Sequence, residues 1–117
     1  MTNAKVWKVV LWMLQILAAA AFLPAGVAKL AGAAMMVQMF ETIGMGQWFR
    51  YFTGGVEVTG AILLLIPKTC WIGGALLAVT MVGAIATHLF IIGGSPAAPI
   101  VLLLMTATVA WRRSKLF

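Results

Sequence analysis

Apolar residues run along this chain in four long blocks separated by short polar or glycine–proline breaks. The blocks cover about 6–30, 49–66, 70–92 and 96–111. Pro67-Lys68 stops the second, Gly93-Gly94-Ser95-Pro96 stops the third, and Arg112-Arg113 ends the fourth. Within each block the hydrophobicity is continuous rather than alternating. That excludes the dyad pattern of barrel strands and predicts α-helices. A hydrocarbon core of about 30 Å needs roughly 20 helical residues. The first and third blocks exceed that length; the second and fourth reach across only with flanking residues or a thinned bilayer. The expected fold is all-α: a single domain over 1–117, an integral membrane four-helix bundle.

The segment between the first two spans, Ala31–Trp48, has its own periodicity. Phe40 and Ile43, with Met36 and Met39, share one helical face, and Gly44 and Gly46 follow. This predicts a short interfacial helix capping the bundle. Small residues are dense inside the spans (Ala18–Ala21, Gly54, Gly55, Gly60, Gly73, Gly74, Gly83) and let helix backbones approach where lipid gives no hydrophobic incentive to associate. Pro24 removes the donor for the Ala20 carbonyl and predicts a kink in the first span.

Composition supports this reading. The chain is 64% hydrophobic and 9% charged, with a mean hydropathy of +1.11. That leaves too little polar surface for a water-soluble globule and is the reverse of a disordered composition. The single cysteine, Cys70, excludes a disulfide scaffold and an intramolecular dithiol. The net charge of +6 does not point to nucleic acid, because the basic residues sit at span ends rather than in a patch. Lys5, Lys8, Lys68, Arg112, Arg113 and Lys115 all fall on one side of a four-span chain, leaving Lys29 and Arg50 on the other with Glu41. The positive-inside rule then puts both termini in the cytoplasm, and five tryptophans near span ends mark the interfaces. Lys5 and Lys8 ahead of the first block and Gly26-Val27-Ala28 within it imitate a secretory signal. The block is longer than a signal core, and we read it as a retained span.

The chemistry is expected where polar groups enter the membrane. Glu57 sits near the middle of the second span, where a carboxylate costs about 2.5–3.5 kcal/mol on insertion scales. It shares a face with Thr53, Gly60 and Ala61, and Arg50 lies two turns earlier, near enough to reach down to it. His88 lies late in the third span with Thr80 and Ala84 on its face and Thr87 adjacent. Lys29 ends the face Gln15, Ala18, Phe22 of the first span. All four titratable residues fall in the outer half, while the inner half holds little beyond Gln15 and Thr108. This predicts one outer pocket rather than a channel. Bland readings stand beside it: Lys29 snorkelling to the interface, His88 as a packing residue, Glu57 in a structural ion pair. Met35, Met36, Met39 and Met45 with His88 carry soft ligands for Cu(I), but methionine on an interfacial helix more commonly packs, so no metal site is expected.

At these residues the chain resembles the DoxX family, in its short DoxX-like branch. Phe22-Leu23-Pro24-Ala25-Gly26-Val27-Ala28-Lys29-Leu30 is similar to that family's F-x-x-A-G-x-x-K-L, and Gly44, Phe52 and the run from Gly55 through Glu57 and Gly60 to Pro67 continue the likeness. His88 falls where members often carry a histidine late in the third span. The resemblance implies a four-helix protein of the bacterial inner membrane, linked in some relatives to quinone-dependent oxidoreductases and in others to assembly. It implies Lys29, Glu57 and His88 as the family-like polar positions; Arg50 is added from helix geometry. The sequence has neither a haem-ligating histidine pair nor a cysteine pair, so a protein partner has to supply electrons. The expectation is an accessory redox subunit holding a small amphipathic molecule such as a quinone. Glu57 and His88 would exchange protons with it, and Lys29, Arg50 and Thr53 would bind it. The rival expectations are a non-enzymatic assembly protein dimerising through glycine faces, and a small-solute transporter.

Overall fold

The computed structural model describes residues 3–115, and among them every regular element is helical. The elements are α1 (Asn3–Ala31), α2 (Ala34–Ile43), α3 (Trp48–Leu64), α4 (Cys70–Thr87), a π-helical turn (His88–Ile92) and α5 (Ala97–Ser114). The four apolar blocks thus become α1, α3, α4 with its π turn, and α5, each starting or stopping within about three residues of the expected bound. α1 continues unbroken through Pro24. At 1.5 Å per residue its 29 residues span about 43 Å, while the 17 of α3 span about 26 Å.

α1 packs against α3, α3 against α4, α4 against α5, and α5 back against α1. The contacts are close because the meeting faces are small. A β-carbon on Gly73 would lie 2.8 Å from the Gly60 carbonyl and 2.8 Å from the Leu64 amide. One on Gly74 would lie 2.8 Å from the Thr106 carbonyl, and one on Gly26 2.9 Å from that of Gly54. The core around these crossings is built from Leu11, Phe22, Leu64, Leu77, Met81 and Val109. Meanwhile Met13, Ile16, Leu17, Val79, Val82 and Phe90 face outward. An apolar exterior around a small-residue interior suits lipid as the solvent. α1 and the continuous run Cys70–Ile92 are each long and apolar enough to cross a membrane. α3 ends after 17 residues, and α5 spends its last turn on Arg112 and Arg113.

The expected short helix is α2. It stops at Gly44, whose φ of +83° is a left-handed cap open mainly to glycine and whose amide donates to the Phe40 carbonyl. Phe40 is buried and meets Phe49 edge-on at 5.8 Å, which ties α2 to the start of α3. At the opposite end of the molecule the Arg112 guanidinium lies 3.9 Å over the Trp7 ring, so the start of α1 and the end of α5 lie together.

Candidate functional site

α3, α4 and α5 touch at Gly60, Gly73 and Gly74 toward the terminal half. In the α2 half α1 crosses α3 at Gly26 and Gly54, and space is left beside that crossing. A cavity of about 540 Å³ lies there, walled by α1, α3, α4, the π turn and α5, with α2 beside it. Most of its wall is apolar, including Phe22, Phe40, Phe49, Met39 and Pro99. Its side-chain polar groups, among the described residues, are Lys29, Thr53, Glu57, Thr80, Thr87 and His88. Four sequence-expected residues from three spans, Lys29, Thr53, Glu57 and His88, are thus brought to one cavity.

Lys29 Nζ stands 2.6 Å from Glu57 Oε1, and Glu57 is 3% exposed. The pair forms because the last turn of α1 crosses α3 at glycines. A β-carbon on Gly54 would lie 2.9 Å from Lys29 Cβ, so the lysine stem passes over α3 where there is no side chain. Snorkelling does not describe Lys29: its ammonium turns inward. Each threonine on the wall donates its hydroxyl to a carbonyl four residues back, at 2.8 Å: Thr53 to Phe49, Thr80 to Leu76, Thr87 to Gly83. His88 Nδ1 is 3.0 Å from the Gly93 carbonyl. A carbonyl only accepts, so Nδ1 carries the proton. This bond spans the π turn, an element the sequence pattern did not predict and one over-represented at functional sites.

Arg50 is not on the cavity wall. Its reach toward Glu57 is not made. Nη1 donates to the Lys29 carbonyl, Nε donates to Gln47 Oε1 at 2.7 Å, and the guanidinium lies 4.3 Å over the Tyr51 ring. It closes the C-terminal, negative end of the α1 dipole instead. In doing so it fixes the backbone from which Lys29 projects. Gln47 Nε2 in turn donates to the Val37 carbonyl at 3.1 Å and ties in α2.

The terminal half is more polar than the sequence pattern suggested. Arg113 is 5% exposed rather than solvated beyond the last span. Its Nε donates to Gln15 Oε1 at 2.9 Å, and Gln15 Nε2 donates to the Leu64 carbonyl at 2.8 Å, at the end of α3. A buried glutamine on the α1 face that also carries Phe22 and Lys29 was the signal for this network, since such a side chain has to find partners. The glycines also divide. Gly26, Gly54, Gly60, Gly73 and Gly74 are consumed by packing within the chain, whereas a β-carbon on Gly55 or Gly83 would meet nothing within 4 Å. Gly83 faces the cavity, and Gly55 lines a cleft between α3 and α4 that shares Phe52 with it.

A family model described as the DoxX-like family matches residues 13–111. The chain is also similar to a protein of Bacillus subtilis (strain 168) described as "Putative oxidoreductase CatD", with 29% identity over 75 residues. That match takes in 64% of this chain, which spans little more than half (56%) of the relative's length. No solved structure matches. The family match and the apolar helices together identify a membrane protein.

Proposed function

The chain belongs to the DoxX-like family, and on that premise we propose that it is an accessory membrane subunit of a redox system, binding a small amphipathic molecule such as a quinone in the α2-half cavity. The observation that carries this reading is the cavity itself: about 540 Å³ of largely apolar space with an ion pair and a histidine at its wall. Sites for small amphipathic ligands have this form, apolar walls with a few convergent polar groups. The cleft at Gly55 and Phe52, between α3 and α4, supports entry from the side, out of the lipid.

The protein forms a four-helix bundle in the bacterial inner membrane with both termini in the cytoplasm, so that the cavity lies in the outer half of the bilayer. The terminal end carries Lys5, Lys8, Lys68, Arg112, Arg113 and Lys115, which supports that orientation. Glu57 and His88 are the groups to hold or move protons at the head of the ligand. Lys29 holds Glu57 and can donate to a ligand oxygen. Thr53 lines the same wall, and Arg50 acts from behind, through the Lys29 backbone. The sequence contains one histidine and one cysteine, so electrons arrive from a protein partner. The relative described as an oxidoreductase is consistent with that setting.

Protein purified in native-lipid particles tests this. Bound quinone should be extractable, and a decyl-chain benzoquinone should raise the melting temperature of the wild type but not of Gly83→Phe, whose side chain would enter the cavity. A preparation that yields no quinone and shows no quinone-dependent shift would end the proposal.

A further inference from the structure

The protons on the cavity wall, if the cavity holds an amphiphile as proposed above, specify the chemical form of that ligand. A hydroxyl has one proton and two lone pairs. Thr53, Thr80 and Thr87 each spend the proton on their own helix, on the carbonyls of Phe49, Leu76 and Gly83, and so present only lone pairs to the cavity. His88 spends its Nδ1 proton on the Gly93 carbonyl, and in that tautomer Nε2 is likewise an acceptor. The Glu57 carboxylate accepts only. Of the side chains on this wall, among the described residues, Lys29 alone has N–H groups to offer a ligand beside its ion pair with Glu57. Five acceptors therefore face one donor.

We infer that the cavity selects an amphiphile whose polar end carries hydroxyl groups, and hence the reduced, quinol form of a quinone couple over its oxidised form. A quinone head offers carbonyl oxygens, which only accept. It would find one donor in Lys29, and elsewhere its lone pairs would meet the lone pairs of the wall. A quinol head donates two O–H groups to the wall and still accepts from Lys29. Unmatched polar groups in a largely apolar site are what separates such analogues.

The test is a titration of wild-type protein in lipid nanodiscs with three probes of equal chain length: a decyl-chain benzoquinone, its quinol kept reduced under anaerobic conditions, and the dimethyl ether of that quinol. The quinol should bind at least roughly tenfold more tightly than the other two, the effect of two retained hydrogen bonds. In the variant Thr53→Val/Thr80→Val/Thr87→Val, which keeps side-chain shape and removes three acceptors, the quinol-to-quinone ratio should fall severalfold, with quinol affinity falling and quinone affinity level or rising. Quinone or dimethyl ether binding as tightly as the quinol would overturn the inference while leaving an amphiphile site intact. A ratio unchanged in the triple variant would overturn it as well. Failure of all three probes to bind would remove both the inference and the functional reading beneath it.

Discussion

The Lys29–Glu57 pair makes the sharpest demand on the protein. At 2.6 Å, two unit charges attract by about 6 kcal/mol at an effective dielectric near 20. Their joint desolvation offsets much of this. Removing one partner leaves the other buried and uncompensated, at a cost of about 3–5 kcal/mol. The two removals are not equivalent. Lys29 lies in the last turn of α1 on a flexible stem, so after Glu57→Gln its ammonium can swing to the interface. Glu57 is 3% exposed in the interior of α3 and has no such escape. Lys29→Met should therefore be the more destabilising single change, near the upper end of that range, with Glu57→Gln near or below its lower end. The double variant Lys29→Met/Glu57→Gln should cost less than Lys29→Met alone, giving a coupling energy of about 3 kcal/mol. Reversible SDS-driven unfolding in mixed micelles measures all four proteins. Additivity of the two single changes to within about 0.5 kcal/mol would refute the argument, because it would show that the charges do not depend on each other.

The remaining predictions use the same assay or a simple binding readout. Gly73→Ala should destabilise by about 1–3 kcal/mol, because its β-carbon would meet backbone atoms of Gly60 and Leu64 at 2.8 Å. Gly83→Ala should be neutral or stabilising by about 0.5–1 kcal/mol, since nothing lies within 4 Å of the added carbon and alanine favours the helix; equal losses at the two positions would contradict the packing. Gln15→Leu should destabilise by about 2–4 kcal/mol by stripping Arg113 Nε and the Leu64 carbonyl of their partner, and Gln15→Leu/Arg113→Met should recover part of that loss. Arg50→Met should lower quinol affinity severalfold without touching the cavity wall, by freeing the Lys29 backbone; unchanged affinity would show that Lys29 is held by α3 alone.

Most of the fold was legible because a membrane imposes coarse rules. Runs of apolar residues give the helices, and Pro67-Lys68 and Gly93-Gly94 mark their breaks. Gly44, placed after the Phe40–Ile43 face, predicts both the existence and the end of α2. Glu57, Lys29 and His88 stood out because a charge inside an apolar run is expensive enough to need a reason. Depth along the helix axis then put them in one layer. What sequence could not give was rotation about each axis and the crossing points. Arg50 and Glu57 share a face on paper, yet the crossing of α1 over α3 at Gly54 puts Lys29 between them as the partner of Glu57. Arg113 reads as a solvated end residue until α5 is seen to turn it toward Gln15. Gly73 and Gly83 look alike as letters; only the path of α3 and α5 past α4 makes the first a contact and the second a gap.

The account stands on a ligand lying against Glu57, Lys29 and His88, and an experimental structure from native-lipid particles, prepared with the decyl-chain quinol present, tests that directly. The account predicts density for a ring in the cavity, with its oxygens within hydrogen-bonding distance of the Lys29–Glu57 pair or His88 and its tail leaving past Phe52. A cavity collapsed onto its own side chains, or filled by phospholipid acyl chains that leave those three residues untouched, would contradict it.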